Sequence, residues 1–173
     1  MKLKVYAVRY KEDITPFIQS YYSDPIIDHS NTFLTIINNY GELKEGFSPS
    51  KITILNNVLR PDFSTGHLAR NWNQALINGF KDLNNPDCDV VICIQIDALL
   101  TDKWYSTVKD IFETNKYDYF TVGRGDEFQY FTPKAVKTIG LYDERYCNIQ
   151  FQEADYFLRA LLQSFKNKDL KVS

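Results

Sequence analysis

Three small groups of residues have the types and spacings that suit chemistry on a phosphorylated substrate. Asp97 follows the apolar run Val90-Val91-Ile92-Cys93-Ile94-Gln95-Ile96. A lone acid at the carboxyl end of a buried parallel strand stands where open α/β sheets bind their ligands. Such a carboxylate can hold Mg²⁺ or Mn²⁺, hard ions that take oxygen ligands and substrate phosphates; a turn or N-cap role fits the position equally well. Glu153 and Asp155 fall at the predicted start of the last helix, off its apolar stripe. The helix dipole there favours the ionised form, and an ionised carboxylate can act as a general base toward a hydroxyl nucleophile. Simple first-turn stabilisation explains the same spacing, and Arg159 is placed to pair with Asp155 at i, i+4. Arg70-Asn71 lies in the first turn of a helix opened by Gly66. Unpaired backbone N–H groups and a positive dipole end suit a diphosphate at such a start; a solvated Arg is the alternative. His29 and His67 have no paired acid or cysteine motif and are taken as packing or surface residues.

The elements that must position these groups alternate between strand and helix. Leu3 to Val8, Phe33 to Ile37 and Lys51 to Leu55 predict three strands, the second stopped by Asn38-Asn39-Tyr40-Gly41. Thr15-Pro16 supplies an N-cap and a first-turn proline for a helix through Tyr22. Asn56 to Thr65, interrupted by Pro61, predicts a loop. After Gly66, Leu68, Trp72, Ala75, Leu76, Gly79 and Phe80 recur at helical spacing, with Arg70, Asn71, Asn73 and Asn78 off that stripe. The run from Val90 to Ile96 lacks alternation, as expected for a strand covered on both faces. Trp104, Val108, Ile111 and Phe112 mark a further helix, and Tyr119–Val122 and Glu127–Phe131 are strands around Gly123-Arg124-Gly125-Asp126. Thr132-Pro133 caps a short helix ending at Gly140. Ala154, Phe157, Leu158, Leu161, Leu162 and Phe165 give the last helix a clean apolar stripe, predicting its buried face. The whole pattern predicts an α/β three-layer sandwich around a mostly parallel sheet.

Composition limits the function classes. A chain of 173 residues predicts one domain over 1–173, either compact or part of a longer protein. With 44% apolar and 24% charged residues it has the make-up of a soluble globular fold. A net charge of −2 gives no basic footprint for nucleic acid. The 12 Tyr, 12 Phe and 2 Trp serve core packing first, with sugar or nucleobase lining as a secondary role. Cys88, Cys93 and Cys147 form neither a disulfide framework nor a zinc ribbon. Met1 to Val8 is too short and polar for a secretory signal, and no apolar run approaches the ~20 residues of a membrane span. Together these features predict a cytoplasmic location.

Four segments, in order, resemble GT-A glycosyltransferases of the family 2 type. Gly66-His67-Leu68-Ala69-Arg70-Asn71, with Gly79 further on, is similar to the family's G-x-x-x-A-R-N segment. Gln95-Ile96-Asp97 stands where the family has its D-x-D metal motif, with Trp104 where a tryptophan often follows. Ile139 to Tyr146 resembles the acceptor-side G-G-F-D-E-x-F segment, and Phe151 to Arg159 the Y-E-D-V-D-L-x-x-R helix. The resemblance covers residues from about Leu3 to Arg159. It implies a GT-A nucleotide-diphospho-sugar transferase fold and an inverting, metal-dependent transfer from a nucleoside-diphosphate sugar, taken as a UDP-sugar, to a carbohydrate or other hydroxyl acceptor. By position, Asp97 would bridge Mn²⁺ or Mg²⁺ to the donor diphosphate and Glu153 would deprotonate the acceptor. Asn38 would face the nucleobase, Arg70 and Asn71 would line the nucleotide side, and Gln95 would occupy the first metal-motif position. Gln95 and Asn38 replace acids of the family pattern, so a nucleotide-sugar-binding domain without turnover is the alternative. A nucleotidyltransferase fits less well, because Arg9-Tyr10-Lys11-Glu12-Asp13 after the first strand carries no glycine-rich phosphate loop.

Overall fold

In the computed structural model, residues 1–41, 43, 52–57, 67–123, 127–146 and 148–173 are described. The expectations that fall on Gly66, Lys51, the loop 58–65, Arg124 to Asp126 and Cys147 lie outside those residues. The elements in chain order are β1 (Leu3–Arg9), α1 (Thr15–Tyr21), β2 (Thr32–Asn38), β3 (Ile52–Asn56), α2 (His67–Phe80) and β4 (Val90–Gln95). There follow α3 (Trp104–Glu113), β5 (Tyr119–Val122), β6 (Phe128–Phe131), α4 (Pro133–Ile139) and α5 (Ile149–Lys166).

The six strands form one sheet in the order β3-β2-β1-β4-β6-β5. β3, β2, β1 and β4 pair in parallel, and β6 runs against both β4 and β5. The sheet is thus mostly parallel, as expected. The chain leaves β1 outward through β2 and β3, then returns to β4 on the other side of β1. That reversal makes a switch point at the carboxyl ends of β1 and β4, where Arg9 and Gln95 stand.

Two apolar cores cover the two faces of the sheet. Strand alternation sends Tyr6, Ile37, Val91, Cys93 and Phe131 to the side of α2, α4 and α5. Val5, Ala7, Leu34, Ile36, Val90, Ile92 and Ile94 turn to the side of α1 and α3. Both faces of β4 are therefore filled, which explains its unbroken apolar run. Helix α2 buries Leu68, Trp72, Ala75, Leu76 and Phe80, the stripe its spacing predicts. Leu76 and Trp72 each contribute roughly 2–3 kcal/mol through this burial. The helix also comes very close to the sheet, since a Cβ on Gly79 would stand 2.4 Å from Val91 Cγ2.

Local caps follow the sequence with two corrections. Thr132 Oγ1 accepts from the Ala135 amide at 3.2 Å and starts α4, which stops at Gly140 with φ +93°. Helix α1 begins one residue earlier than predicted, because Thr15 is already helical and its amide is held by Asp13 Oδ1 at 3.0 Å. The larger correction concerns α5. Its predicted apolar stripe faces outward, with Leu158, Leu162 and Phe165 exposed, while Gln152, Glu153, Tyr156 and Ala160 are buried. Among the described residues, no helix is long and apolar enough to cross a membrane.

Candidate active site at the strand ends

The carboxyl ends of β1, β2 and β3 carry Arg9, Asn38 and Asn56 in register. Asn38 is completely buried. Its Oδ1 accepts from Arg9 Nη1 at 2.7 Å, and its Nδ2 donates to Asn56 Oδ1 at 2.8 Å and to the Gly41 carbonyl at 2.7 Å. Arg9 also donates to the Tyr40 carbonyl at 2.6 Å. This amide ladder fixes the exit from β2, so Asn38 acts on the rim through its neighbours. The rim itself presents the Tyr10 and Tyr40 rings, 5.4 Å apart, with Lys11 Nζ about 5 Å from both centroids. A cation over two partly exposed aromatic faces suits a planar, electron-rich group.

A second assembly joins the starts of α2 and α5. The Ala69 amide donates to Gln152 Oε1 at 3.0 Å, so one first-turn N–H of α2 is already committed. Arg70 pairs with Glu144 at 3.4 Å, both half-exposed. Asn73 clasps the Tyr142 backbone in both directions, at 3.0 and 2.8 Å. Asn71 and Asn73, predicted off the apolar stripe, are both buried, and among the described residues Asn71 Oδ1 has no hydrogen-bond partner. An orphaned carbonyl oxygen of this kind is costly unless a ligand or water satisfies it.

Glu153 lies at the centre of this assembly, 8% exposed. Its Oε1 accepts from the Trp72 indole at 3.2 Å and its Oε2 from Gln129 Nε2 at 2.5 Å. Gln129 Oε1 in turn accepts from the Tyr142 hydroxyl. Burial, the neighbouring Tyr119 and the negative charge of Glu153 hold that phenol well above its ordinary pKa, so it serves as a donor. Tyr142 stacks on Tyr156 at 4.1 Å, which locks the network in place. Burial pushes the Cys88 thiol up to about 12, and burial with the Glu153 charge holds Cys93 well above its ordinary value, so neither is a nucleophile at neutral pH.

The two predicted acids on α5 do not share a role. Asn148 caps the helix by accepting from the Gln150 amide at 2.9 Å, so Glu153 and Asp155 lie beyond the first turn and the dipole argument lapses. Side chains two positions apart leave a helix about 200° from each other. Asp155 instead binds Arg159 at 2.8 Å, as its i, i+4 spacing allows. Arg159 lies over the Tyr156 ring and donates to the Ile139 carbonyl at 2.9 Å, closing the end of α4.

Gln95 lies on the face of the second assembly, whereas Arg9 and Asn38, two residues beyond Ala7 and Ile36, lie on the other face. Cys93 is opposite Gln129 in the sheet, and Gln95 lies two residues further on the same face, about 7 Å along β4. Its face is therefore that of Glu153. The turn after β4 closes through the Ala98 amide on the Gln95 carbonyl at 3.1 Å and carries Asp97 out to solvent. Among the described residues, no hydrogen bond or ion pair joins Asp97 to Arg70, Asn71 or Glu153, and no three His, Cys, Asp or Glu side chains cluster to hold a metal. A separate apolar cavity of about 280 Å³, lined by Ile94, Leu100, Trp104, Val108 and Phe128, opens on the opposite face beside α3. Sequence reasoning missed Arg9, Trp72 and Gln129 as site residues. Gln129 alone left a signal, as the one amide in the apolar run Phe128-Gln129-Tyr130-Phe131.

No known protein family and no curated protein matches the chain. Solved structures do match its fold. A mannosyltransferase from Pyrobaculum calidifontis, PcManGT, in complex with GDP-Man and Mn²⁺, superposes with a TM-score of 0.64 at 11% identity, over 99% of this chain and 53% of that one. S. aureus TarS 1-349 in complex with UDP-GlcNAc gives 0.64 at 10% identity, over 92% and 54%. A candidate nucleotide-diphospho-sugar transferase from Desulfovibrio desulfuricans G20 gives 0.57 at 13%, over 99% and 78%. The chain has a GT-A-like, nucleotide-diphospho-sugar transferase fold, and it spans about half the length of PcManGT and of the TarS fragment.

Proposed function

We propose that the chain is an inverting glycosyltransferase acting on a nucleoside-diphosphate sugar, with Glu153 as its general base. The supporting observation is the carboxylate itself: nearly buried, gripped by Trp72 and Gln129, on the sheet face that Gln95 shares. In the reaction Glu153 takes the proton of the acceptor hydroxyl as its oxygen attacks the anomeric carbon. The bond from that carbon to the diphosphate breaks, and the nucleoside diphosphate leaves with its electron pair. The Tyr10–Tyr40 rim, held by Arg9 and Asn38, would stack the nucleobase, and Asn71 with Arg70 would face the nucleotide. The donor set suits a divalent cation only in part. Asp97, the Gln95 side-chain amide oxygen and the diphosphate would hold Mn²⁺ or Mg²⁺, which fits an ion that takes one or two carboxylates plus phosphates. Such an ion would neutralise charge on the leaving group. UDP-sugars are the expected donors; the complexes of PcManGT with GDP-Man and of TarS with UDP-GlcNAc support the wider class of nucleoside-diphosphate sugars.

Glu153→Gln should retain the donor-induced rise in thermal midpoint and lose roughly 10²–10⁴-fold in transfer rate. Full activity in that variant removes the base assignment. Asp97→Ala should abolish the part of the donor-induced shift that depends on Mn²⁺; an unchanged shift removes Asp97 from metal binding. A second reading, a donor-binding domain without turnover, rests on Gln95 and Asn38 standing where the family pattern has acids. Donor shifts without detectable transfer or donor hydrolysis in the wild-type chain would select it.

A further inference from the structure

The outward face of α5 carries an apolar seam that the proposed reaction does not use. Phe151, Ala154, Leu158, Leu161 and Phe165 follow one another at alternating steps of three and four residues, with Phe157 and Leu162 beside them. All lie away from the buried Gln152, Glu153, Tyr156 and Ala160. Phe151 is 64% exposed, Phe157 36%, Leu158 and Leu162 57% each, and Phe165 78%. Contiguous apolar surface on this scale marks an interaction site.

We infer that α5 pairs antiparallel with α5 of a second copy of this chain, about a two-fold axis beside Arg159 and Ala160. Steps of three and four residues make the narrow seam of two packed helices. The seam is also self-complementary in that register, as a two-fold interface requires. Leu158 meets the partner's Leu161 and Ala154 leaves room for the partner's Phe165, each contact being made twice, with Phe157 and Leu162 bordering the seam on its two edges. The flanking charges Asp155 and Arg159 are already paired at 2.8 Å, so closing the seam strands no unpaired ion there. The exposed side chains amount to roughly 500 Å² per copy, so the pair buries at most about 1,000 Å², which suits a weak dimer at the small end of the range. The pairing is independent of whether the chain transfers a sugar.

Sedimentation velocity at tens of micromolar should find the wild-type chain dimeric. Leu158→Glu and Leu161→Lys should each sediment as monomers with an unchanged circular dichroism spectrum, since Leu158 is exposed and Leu161 only partly covered. Mixing the two variants should restore a dimer, because the register sets the introduced carboxylate of one copy against the introduced ammonium of the other, once per pair. A monomeric wild-type chain overturns the inference, as does a monomer that floats with anionic phospholipid vesicles. A mixture that stays monomeric overturns the antiparallel register.

Discussion

Helices α2 and α5 are both amphipathic, yet they pack by opposite rules. The apolar stripe of α2 goes to the sheet, with Trp72 and Ala75 completely covered. That of α5 turns to solvent, and the helix presents the sheet with an amide, a carboxylate and a phenol. Burying polar groups is costly unless each finds a partner, and here partners are provided. Gln152 takes the Ala69 amide, Glu153 takes Trp72 and Gln129, and the Tyr156 hydroxyl donates to the Gly140 carbonyl at 3.1 Å. Periodicity therefore identifies a helix and its two faces, while hydrogen-bond satisfaction decides which face goes inward. A helix that gives up apolar burial in this way is what a functional region requires, in keeping with the base proposed at Glu153.

Paired truncations test that difference. Leu76→Ala on α2 should cost about 2–5 kcal/mol by denaturant unfolding, through lost burial and a residual cavity. Gln129→Leu should cost an intermediate amount, about 1–3 kcal/mol, because it removes the acceptor of the Tyr142 hydroxyl and the donor to Glu153 Oε2. A neutral result would show that the α5 network does not depend on this amide. Leu162→Ala on α5, measured in the monomeric Leu158→Glu background, should change stability by no more than about 0.5 kcal/mol. Costs at Leu76 and Leu162 that match would mean that both stripes are buried in the folded chain.

The smallest effect belongs to a surface outside both helices' contested faces. Lys4, Lys81 and Lys2 all bind the partly exposed Asp87 and hold its pKa well below the ordinary 3.8. A lowered folded-state value means that this stabilisation is complete above that ordinary value and is lost as pH falls through the folded one. Asp87→Asn should slightly flatten the acid limb of stability against pH and leave the shape of the neutral plateau unchanged. An unaltered acid limb would show that the three lysines contribute nothing measurable.

Much of the fold was legible because its signals are local. The apolar run of β4, the stripe of α2 and the Thr132-Pro133 cap each depend on near neighbours, and each forms close to where the sequence places it. The candidate site was less legible because its groups meet through residues dozens of positions apart. Nothing near Asn38 indicates that Arg9 and Asn56 will enclose it, and nothing near Glu153 names Trp72. The resemblance to GT-A enzymes led to Glu153 and Gln95, but not to the donors that hold the carboxylate. Asp155 shows the converse: its local pairing with Arg159 was foreseeable and is what forms.

Gly79 carries a consequence for how sequences of this kind can vary. Even a methyl group there would force α2 away from Val91. The displacement would travel along a rigid rod to its middle, where Trp72 and Asn73 meet the α5 side of the molecule. A substitution remote from Glu153 would thus loosen the grip of Trp72 on its carboxylate, and variants could keep their overall architecture while losing the alignment that the proposed reaction requires.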